Sequence, residues 1–241
     1  MSQPDKLSAS ERRAWRALLI SAGVTGALYV VPFGDVLSYP LVLLSTLAHE
    51  MGHGLTAMAV GGHFESFKLY ADGSGVAQWS GKPSRLDRAL VSAGGLIGPA
   101  VVAAVLFFLG KWARMARVAL ICIGAALVLA LVLLIRNVFG LFFVGLIAGL
   151  CLWIGIKGSL RAAQIAVVFV AVQLALSVFS RADYLFTDTA NTANGPMPSD
   201  VAQISDALFG PYWMWGGLCG AVSVGVLLGG LWLYLRGART R

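Results

Sequence analysis

Residues 36–60 read VLSYPLVLLSTLAHEMGHGLTAMAV, and this apolar stretch contains an HExxH sequence with His49, Glu50 and His53 at its defining positions. Glu50 is the only charged residue in the stretch. If a helix enters a bilayer near Leu37, His49 lies roughly 18 Å along it, deep in a hydrocarbon core of ~30 Å. Ionisable groups at that depth are costly unless something binds them, so these three residues are candidates for function.

The spacing of the HExxH residues suits a metal site. Residues four apart share one face of a helix, so His49 and His53 can hold one metal ion together. Glu50 is then placed to take a proton from water beside the metal. The alternative is a pair of core histidines hydrogen-bonded to a neighbouring helix. The remaining histidine, His63, follows Gly61-Gly62, which should end the helix, so we expect it in a loop.

The composition indicates a membrane protein. Of the 241 residues, 58% are hydrophobic and 12% are charged, and the mean hydropathy is +0.80. Soluble domains of this length carry more charge. We therefore predict a single integral membrane domain over residues 1–241, an all-α polytopic fold with six to seven transmembrane helices. Seven segments approach the ~20 apolar residues that a crossing helix needs, at 15–33, 37–60, 87–110, 115–135, 138–156, 160–179 and 211–235.

The net charge of +7 does not indicate a nucleic-acid partner in such a chain. The basic residues cluster at the ends of apolar segments, as Arg85 and Arg88 do. This pattern is typical of helix-flanking anchors that face the headgroups of a lipid bilayer. The three cysteines, Cys122, Cys151 and Cys219, lie in apolar runs and are expected to be packing residues.

Two polar insertions interrupt the apolar pattern. In the first, at about 63–80, two β-prone runs flank Asp72-Gly73, which predicts a short β-hairpin directly after the HExxH helix. An exposed strand edge there could accept an extended peptide by main-chain pairing. The alternative is a surface ribbon without a role.

The second insertion, at about 181–208, is predicted to be an acidic polar loop. A catalytic zinc usually takes three protein ligands, so a third donor is needed beside the two histidines. We expect at least one aspartate of this insertion to reach the metal. Ser199 is suited to cap a short helix that begins near Asp200. The four aspartates are Asp183, Asp188, Asp200 and Asp206.

Residues 49–62, HEMGHGLTAMAVGG, resemble the active-site helix of the site-2 protease family of intramembrane zinc metalloproteases, especially its shorter bacterial branch. Residues 92–100, SAGGLIGPA, are similar to the small-residue helix of that family, and the position of the hairpin agrees as well. The resemblance covers residues 37–100 well and the rest of the chain poorly.

The resemblance implies a zinc-dependent intramembrane endopeptidase that hydrolyses peptide bonds of membrane protein or peptide substrates. His49 and His53 would bind Zn²⁺ and Glu50 would be the catalytic base. The third ligand of the family is an aspartate that follows an asparagine and a proline, between leucine and glycine. The nearest counterpart is NGPMPSDV at residues 194–201, which lacks that leucine and glycine. It makes Asp200 the expected third ligand, with Asp183 as the runner-up.

Two other functions compete with this interpretation. A proton-coupled transporter could use Glu50 and the histidines as a relay, but such proteins are built from internal repeats, and the two halves show no convincing one. A non-proteolytic metal-binding membrane scaffold would not need Glu50, which is present. The resemblance to the bacterial branch further implies a multi-pass protein of the bacterial cell (inner) membrane.

Overall fold

The computed structural model describes residues 9–180, 182–192 and 195–236 of the chain. The α-helices of this part are α1 (Ala9–Val30), α2 (Gly34–Ala59), α3 (Arg85–Gly110), α4 (Ala113–Leu133), α5 (Val138–Lys157), α6 (Leu160–Ser180), α7 (Asp200–Leu208) and α8 (Tyr212–Arg236). The strands are β1 (His63–Leu69), β2 (Gly75–Ser80), β3 (Thr189–Thr192) and β4 (Gly195–Pro198), and a 3-10 helix covers Ala182–Phe186.

The helices form an integral membrane protein, as the sequence predicts. Within the described residues, five helices are long and apolar enough to cross a membrane: α3, α4, α5, α8 and the segment Leu160–Phe186 that begins with α6. The other two predicted segments correspond to α1 and α2, which have 22 and 26 residues. They are more polar because the first turns of α1 contain Arg12, Arg13 and Arg16, and α2 contains the HExxH residues. The all-α polytopic fold is confirmed, and five of the described helices meet this criterion of length and composition.

Helix α3 lies at the centre of the bundle and packs against α2, α6, α7 and α8. Its contact with α2 is close because both helices carry glycine there. A methyl group on Gly52 of α2 would overlap the carbonyl of Gly94, and one on Gly98 would lie 3.0 Å from the Ala48 carbonyl oxygen. Small residues allow such backbone approach between membrane helices. This contact fixes α2 relative to α3, which matters for the histidines.

The predicted hairpin after the HExxH helix is confirmed. Strands β1 and β2 pair antiparallel around the Asp72-Gly73 turn. Gly73 has a φ of 86°, which glycine adopts without steric cost. Ser74 donates its N–H and its hydroxyl to Asp72 Oδ1, at 2.9 and 2.7 Å. These hydrogen bonds lower the pKa of the Asp72 carboxyl below its ordinary value and stabilise the turn.

The short connection between α4 and α5 covers the outer edge of β1. Phe67 N–H donates to the Leu134 carbonyl at 2.8 Å, and Arg136 N–H donates to the Phe67 carbonyl at 3.1 Å. The Asn137 side chain bonds both backbone groups of Leu69, at 3.2 and 2.6 Å. Strand β2 has no second strand partner within the described residues. The sheet therefore keeps an open edge on β2.

The second insertion differs from the predicted polar loop, because most of its described residues have regular structure. Strands β3 and β4 form a second antiparallel hairpin, and α7 follows it. Helix α7 buries Val201, Ile204 and Ala207 in a cluster that includes Ala89 and Cys219. The spacing of three residues places this apolar face on one side of the helix. The predicted helix start near Asp200 is confirmed.

Candidate metal and catalytic site

His49 and His53 lie one turn apart on α2, and the ring of His53 is held by α3. Nδ1 of His53 lies 2.8 Å from the carbonyl oxygen of Val91. A carbonyl only accepts hydrogen bonds, so Nδ1 carries a proton, and in the neutral form of the ring Nε2 keeps its lone pair. A hydrogen bond from the ring nitrogen that does not bind the metal is what orients a metal-binding imidazole. Gly95 lies against the same ring, where a methyl group would overlap it.

Asp200 is the first residue of α7, and the cap of that helix directs it inward. Ser199 Oγ accepts the N–H of Ala202 at 3.2 Å and donates to the Thr187 carbonyl at 2.6 Å. Ser199 N–H also donates to the Asp188 carbonyl at 2.9 Å. Asp200 is only 5% exposed. A buried carboxylate at this place requires a compensating partner.

The structure brings His49, His53 and Asp200 together. His49 Nε2 lies 3.2 Å from His53 Nε2 and 3.1 Å from Asp200 Oδ2. His53 Nε2 lies 3.4 Å from Asp200 Oδ1. Ligand atoms at ordinary zinc distances in a tetrahedral site are separated by about 3.3 Å. The two nitrogens are separated by about that distance and each faces a different oxygen of Asp200, so all three side chains converge within 4.8 Å, as residues that share one metal ion would.

The hydrogen bonding of these groups also fits a bound cation. Asp200 Oδ2 is buried, and no hydrogen bond of acceptable geometry reaches it within the described residues. Imidazole lone pairs and a carboxylate directed at one point repel each other unless a proton or a cation lies between them. Two neutral imidazoles and one carboxylate are a common donor set for divalent zinc. The three residues form a possible metal site, and their role as ligands stays a prediction.

Glu50 lies beside this group and contacts the first hairpin. Its side chain is buried, and its Oε2 accepts the N–H of Ala77 on β2 at 2.7 Å. Tyr39 and Thr46 of α2 also hold the hairpin, because their hydroxyls donate to carbonyls of its turn at 2.6 and 2.7 Å. The hairpin therefore lies along α2, with β2 next to the HExxH residues.

Two cavities meet at the site. One has a volume of about 380 Å³ and is lined by β2, α3, α7 and the histidines. The other has a volume of about 330 Å³ and extends toward Thr46 and Ser223. Both are lined by His49, Glu50, Gly75, Tyr184 and Ala190. The shared lining places Glu50 and the edge of β2 at the junction of one groove.

The sequence did not indicate that the Tyr184 side chain and the Ala77 N–H would lie in this groove. Tyr184 has its ring centroid 6.0 Å from that of His49, in an edge-on arrangement. No spacing rule connects a tyrosine of a polar insertion with a histidine 135 positions earlier in the chain. The N–H of Ala77 is a backbone group that every residue except proline has, so its contact with Glu50 depends on the fold alone.

Other predicted residues lie apart from the histidines or outside the described side chains. Asp206 is exposed on α7 and lines the first of the two cavities, but it does not belong to the group formed by His49, His53 and Asp200. Asp183, the runner-up ligand, belongs to the 3-10 helix, but its side chain is not among the described ones. His63 is exposed at the start of β1, after α2 has ended at Ala59.

Comparison with known proteins identifies the family to which the chain belongs. No curated protein and no solved structure matches the chain. A family model described as Peptidase M50B-like matches residues 20–230, which include the two histidines, Glu50 and Asp200. The match covers most of the chain and confirms the predicted relation to the site-2 proteases. The protein is therefore a member of the Peptidase M50B-like family, a family of membrane metallopeptidases.

Proposed function

We propose that the protein is a zinc-dependent endopeptidase that hydrolyses peptide bonds of membrane protein or peptide substrates within or beside the bilayer. As a multi-pass protein of this family, it would lie in a bacterial inner membrane. One observation carries the proposal. Two imidazole nitrogens and a buried carboxylate lie 3.1–3.4 Å apart, with Glu50 beside them and an open strand edge along the same groove.

The residues around the groove have distinct chemical roles in this proposal. His49, His53 and Asp200 would hold Zn²⁺, which polarises a carbonyl and lowers the pKa of water. Glu50 takes the proton as the oxygen of water bonds to the carbonyl carbon of the substrate. When the C–N bond breaks, the same carboxyl returns the proton to the leaving amine. The products are one carboxylic acid and one amine, so one water is consumed for each bond.

In this proposal, the edge of β2 holds the substrate in extended form. Tyr70 N–H donates to the Ser74 carbonyl at 2.9 Å, which sets the alternation of the antiparallel ladder. By this alternation, the backbone groups of Gly75 and Ala77 point away from β1. A Cβ on Gly75 would lie 2.7 Å from Glu50 Cγ, so glycine allows the edge to come this close. A substrate helix must unwind before it pairs there.

The proposal is tested with Glu50→Gln, which preserves shape but cannot accept the proton of water. The probe is an equimolar pool of capped, random-sequence dodecapeptides, added to purified protein in proteoliposomes. New amino termini are counted over time. We expect Glu50→Gln to lower the rate by at least about 100-fold, because general-base catalysis contributes about 10²–10⁴-fold.

Zinc content, measured by elemental analysis, is the control for this experiment. It should be the same in the wild type and in Glu50→Gln, because Glu50 is not a proposed ligand. Cleavage by Glu50→Gln at a rate near that of the wild type would exclude Glu50 as the base. Absence of cleavage by zinc-loaded wild type would support the scaffold alternative.

A further inference from the structure

The N–H of Ala77 joins the first hairpin to the proposed base. It points away from β1 and donates to Glu50 Oε2 at 2.7 Å. Phe67, which is paired with Ala77 in the ladder, likewise turns its N–H away from β2, to the Leu134 carbonyl. The hydrogen bonds of both residues therefore show that the Ala77 N–H points outward from the hairpin. The Glu50 carboxylate is held by the backbone of the enzyme itself.

An extended segment that pairs with β2 requires the same N–H. In a β-ladder, each outward N–H of an edge strand donates to a carbonyl of the strand that joins it. The amide has a single hydrogen, so it cannot make a full hydrogen bond to a substrate carbonyl and to Glu50 at once. Strand pairing at Ala77 and the Glu50 contact thus exclude each other.

We propose that the Ala77 N–H is a positioning group that restrains Glu50 until a substrate strand takes its place. This proposal rests on the proposed function. A substrate carbonyl accepts from Ala77, and the carboxylate turns to the water that it deprotonates. The exchange keeps the amide bonded, whereas release of Glu50 without a substrate leaves the Ala77 N–H without a protein acceptor, which is unfavourable. A peptide too short to pair with β2 meets a restrained base.

The hairpin keeps its place when this contact is exchanged. The Thr46 hydroxyl donates to the Gly73 carbonyl, and the Tyr39 hydroxyl donates to the Ala71 carbonyl. On the other side, β1 is bonded to the connection between α4 and α5. Release of Glu50 therefore frees one side chain and leaves the strand edge in position for the substrate.

Amide hydrogen exchange, resolved by NMR of ¹⁵N-labelled protein, tests the restraint without any cleavage. We expect the Ala77 amide to exchange at least ten-fold faster in Glu50→Ala than in the wild type. The Phe67 amide, bonded to Leu134, should be unchanged and is the internal control. Addition of the dodecapeptide pool to Glu50→Ala should restore protection at Ala77. Equal exchange at Ala77 in the two proteins would overturn the proposal.

Ala77→Pro tests the consequence for substrate selection, because proline removes the N–H and is tolerated at edge positions whose N–H is not in the ladder. Ala77→Gly keeps the N–H and is the matched control. The probes are the dodecapeptide pool and a pool of capped, random-sequence tripeptides. We expect Ala77→Pro to cleave dodecapeptides at least five-fold more slowly, through a higher KM, and to cleave tripeptides faster than the wild type. An equal loss on both pools would show a merely structural role and would overturn the proposal.

The two experiments separate this proposal from the proposed function. If the zinc-loaded wild type cleaves neither pool, the endopeptidase function fails, while the exchange rates still decide whether Glu50 protects Ala77. If the wild type cleaves dodecapeptides but Ala77 is unprotected, the endopeptidase function stands and the restraint is refuted.

Discussion

The proposed metal site has two walls that are built in different ways: the histidine wall consists of His49 and His53, and the aspartate wall consists of Asp200. His49 and His53 belong to α2, a helix of 26 residues that packs closely on α3 through glycines. Asp200 begins α7, a helix of nine residues that follows a small hairpin. The histidine wall is fixed by helix packing over several turns, whereas the aspartate wall depends on one cap and a short apolar face. Substitutions in the two walls should therefore affect zinc binding to different extents and for different reasons.

The largest effect on zinc binding is expected when both imidazoles of the histidine wall are removed. The double variant His49→Ala, His53→Ala should retain no stoichiometric zinc, because a single carboxylate remains of the proposed ligand set. Elemental analysis of detergent-purified protein measures this. The matched control is His63→Ala, which removes an exposed histidine outside the site and should leave zinc content unchanged. Unchanged zinc in the double variant would refute the site.

The aspartate wall is tested by Asp200→Ala beside Asp206→Ala. Loss of groups that only orient a metal ligand costs about 10–100-fold in metal affinity, so loss of a ligand should exceed about 100-fold. Asp206 is exposed on the same helix, and its variant should bind zinc nearly as the wild type does. Competition with a chelator gives both affinities. Equal affinities in the two variants would mean that Asp200 is not a ligand.

A smaller effect is expected from Gly95→Ala, which perturbs the histidine wall without removing a ligand. The added methyl group would overlap the His53 ring, so either the ring or α3 must move. We expect about ten-fold weaker zinc binding, within the range for groups that orient ligands. Gly149→Ala, where a methyl group meets no atom within 4 Å, is the control. If the two variants bind zinc equally, the packing of α3 does not set the position of His53.

The smallest effect is expected from Ser199→Ala, which weakens the aspartate wall. Loss of a serine cap costs about 1 kcal/mol, which corresponds to roughly five-fold in zinc affinity if the cap holds Asp200 in place. Ser159→Ala is the matched control, because Ser159 accepts the N–H of Ala162 at the start of α6 and lines neither of the two cavities at the proposed metal site. A loss of zinc affinity as large in Ser159→Ala would show that general destabilisation is responsible.

Much of the fold could be predicted because the signals are local. Apolar runs of about 20 residues predicted the helices, and Asp72-Gly73 between β-prone runs predicted the first hairpin. Ser199 before Asp200 predicted the start of α7. The acidic insertion was predicted less well, because its four aspartates obscured the apolar face formed by Val201, Ile204 and Ala207. That face is buried only because α3 and α8 supply the apolar surface on which it packs.

By itself, the sequence determined that the chain is a membrane protein with two histidines and a glutamate on one helix, because periodicity and composition depend on neighbouring residues alone. Only the tertiary structure decided that Asp200, 147 positions after His53, lies 3.4 Å from it. The same holds for the open edge of β2, since the connection between α4 and α5 covers β1 instead. Contacts between distant parts of the chain result from how the helices pack, and no local pattern encodes that packing.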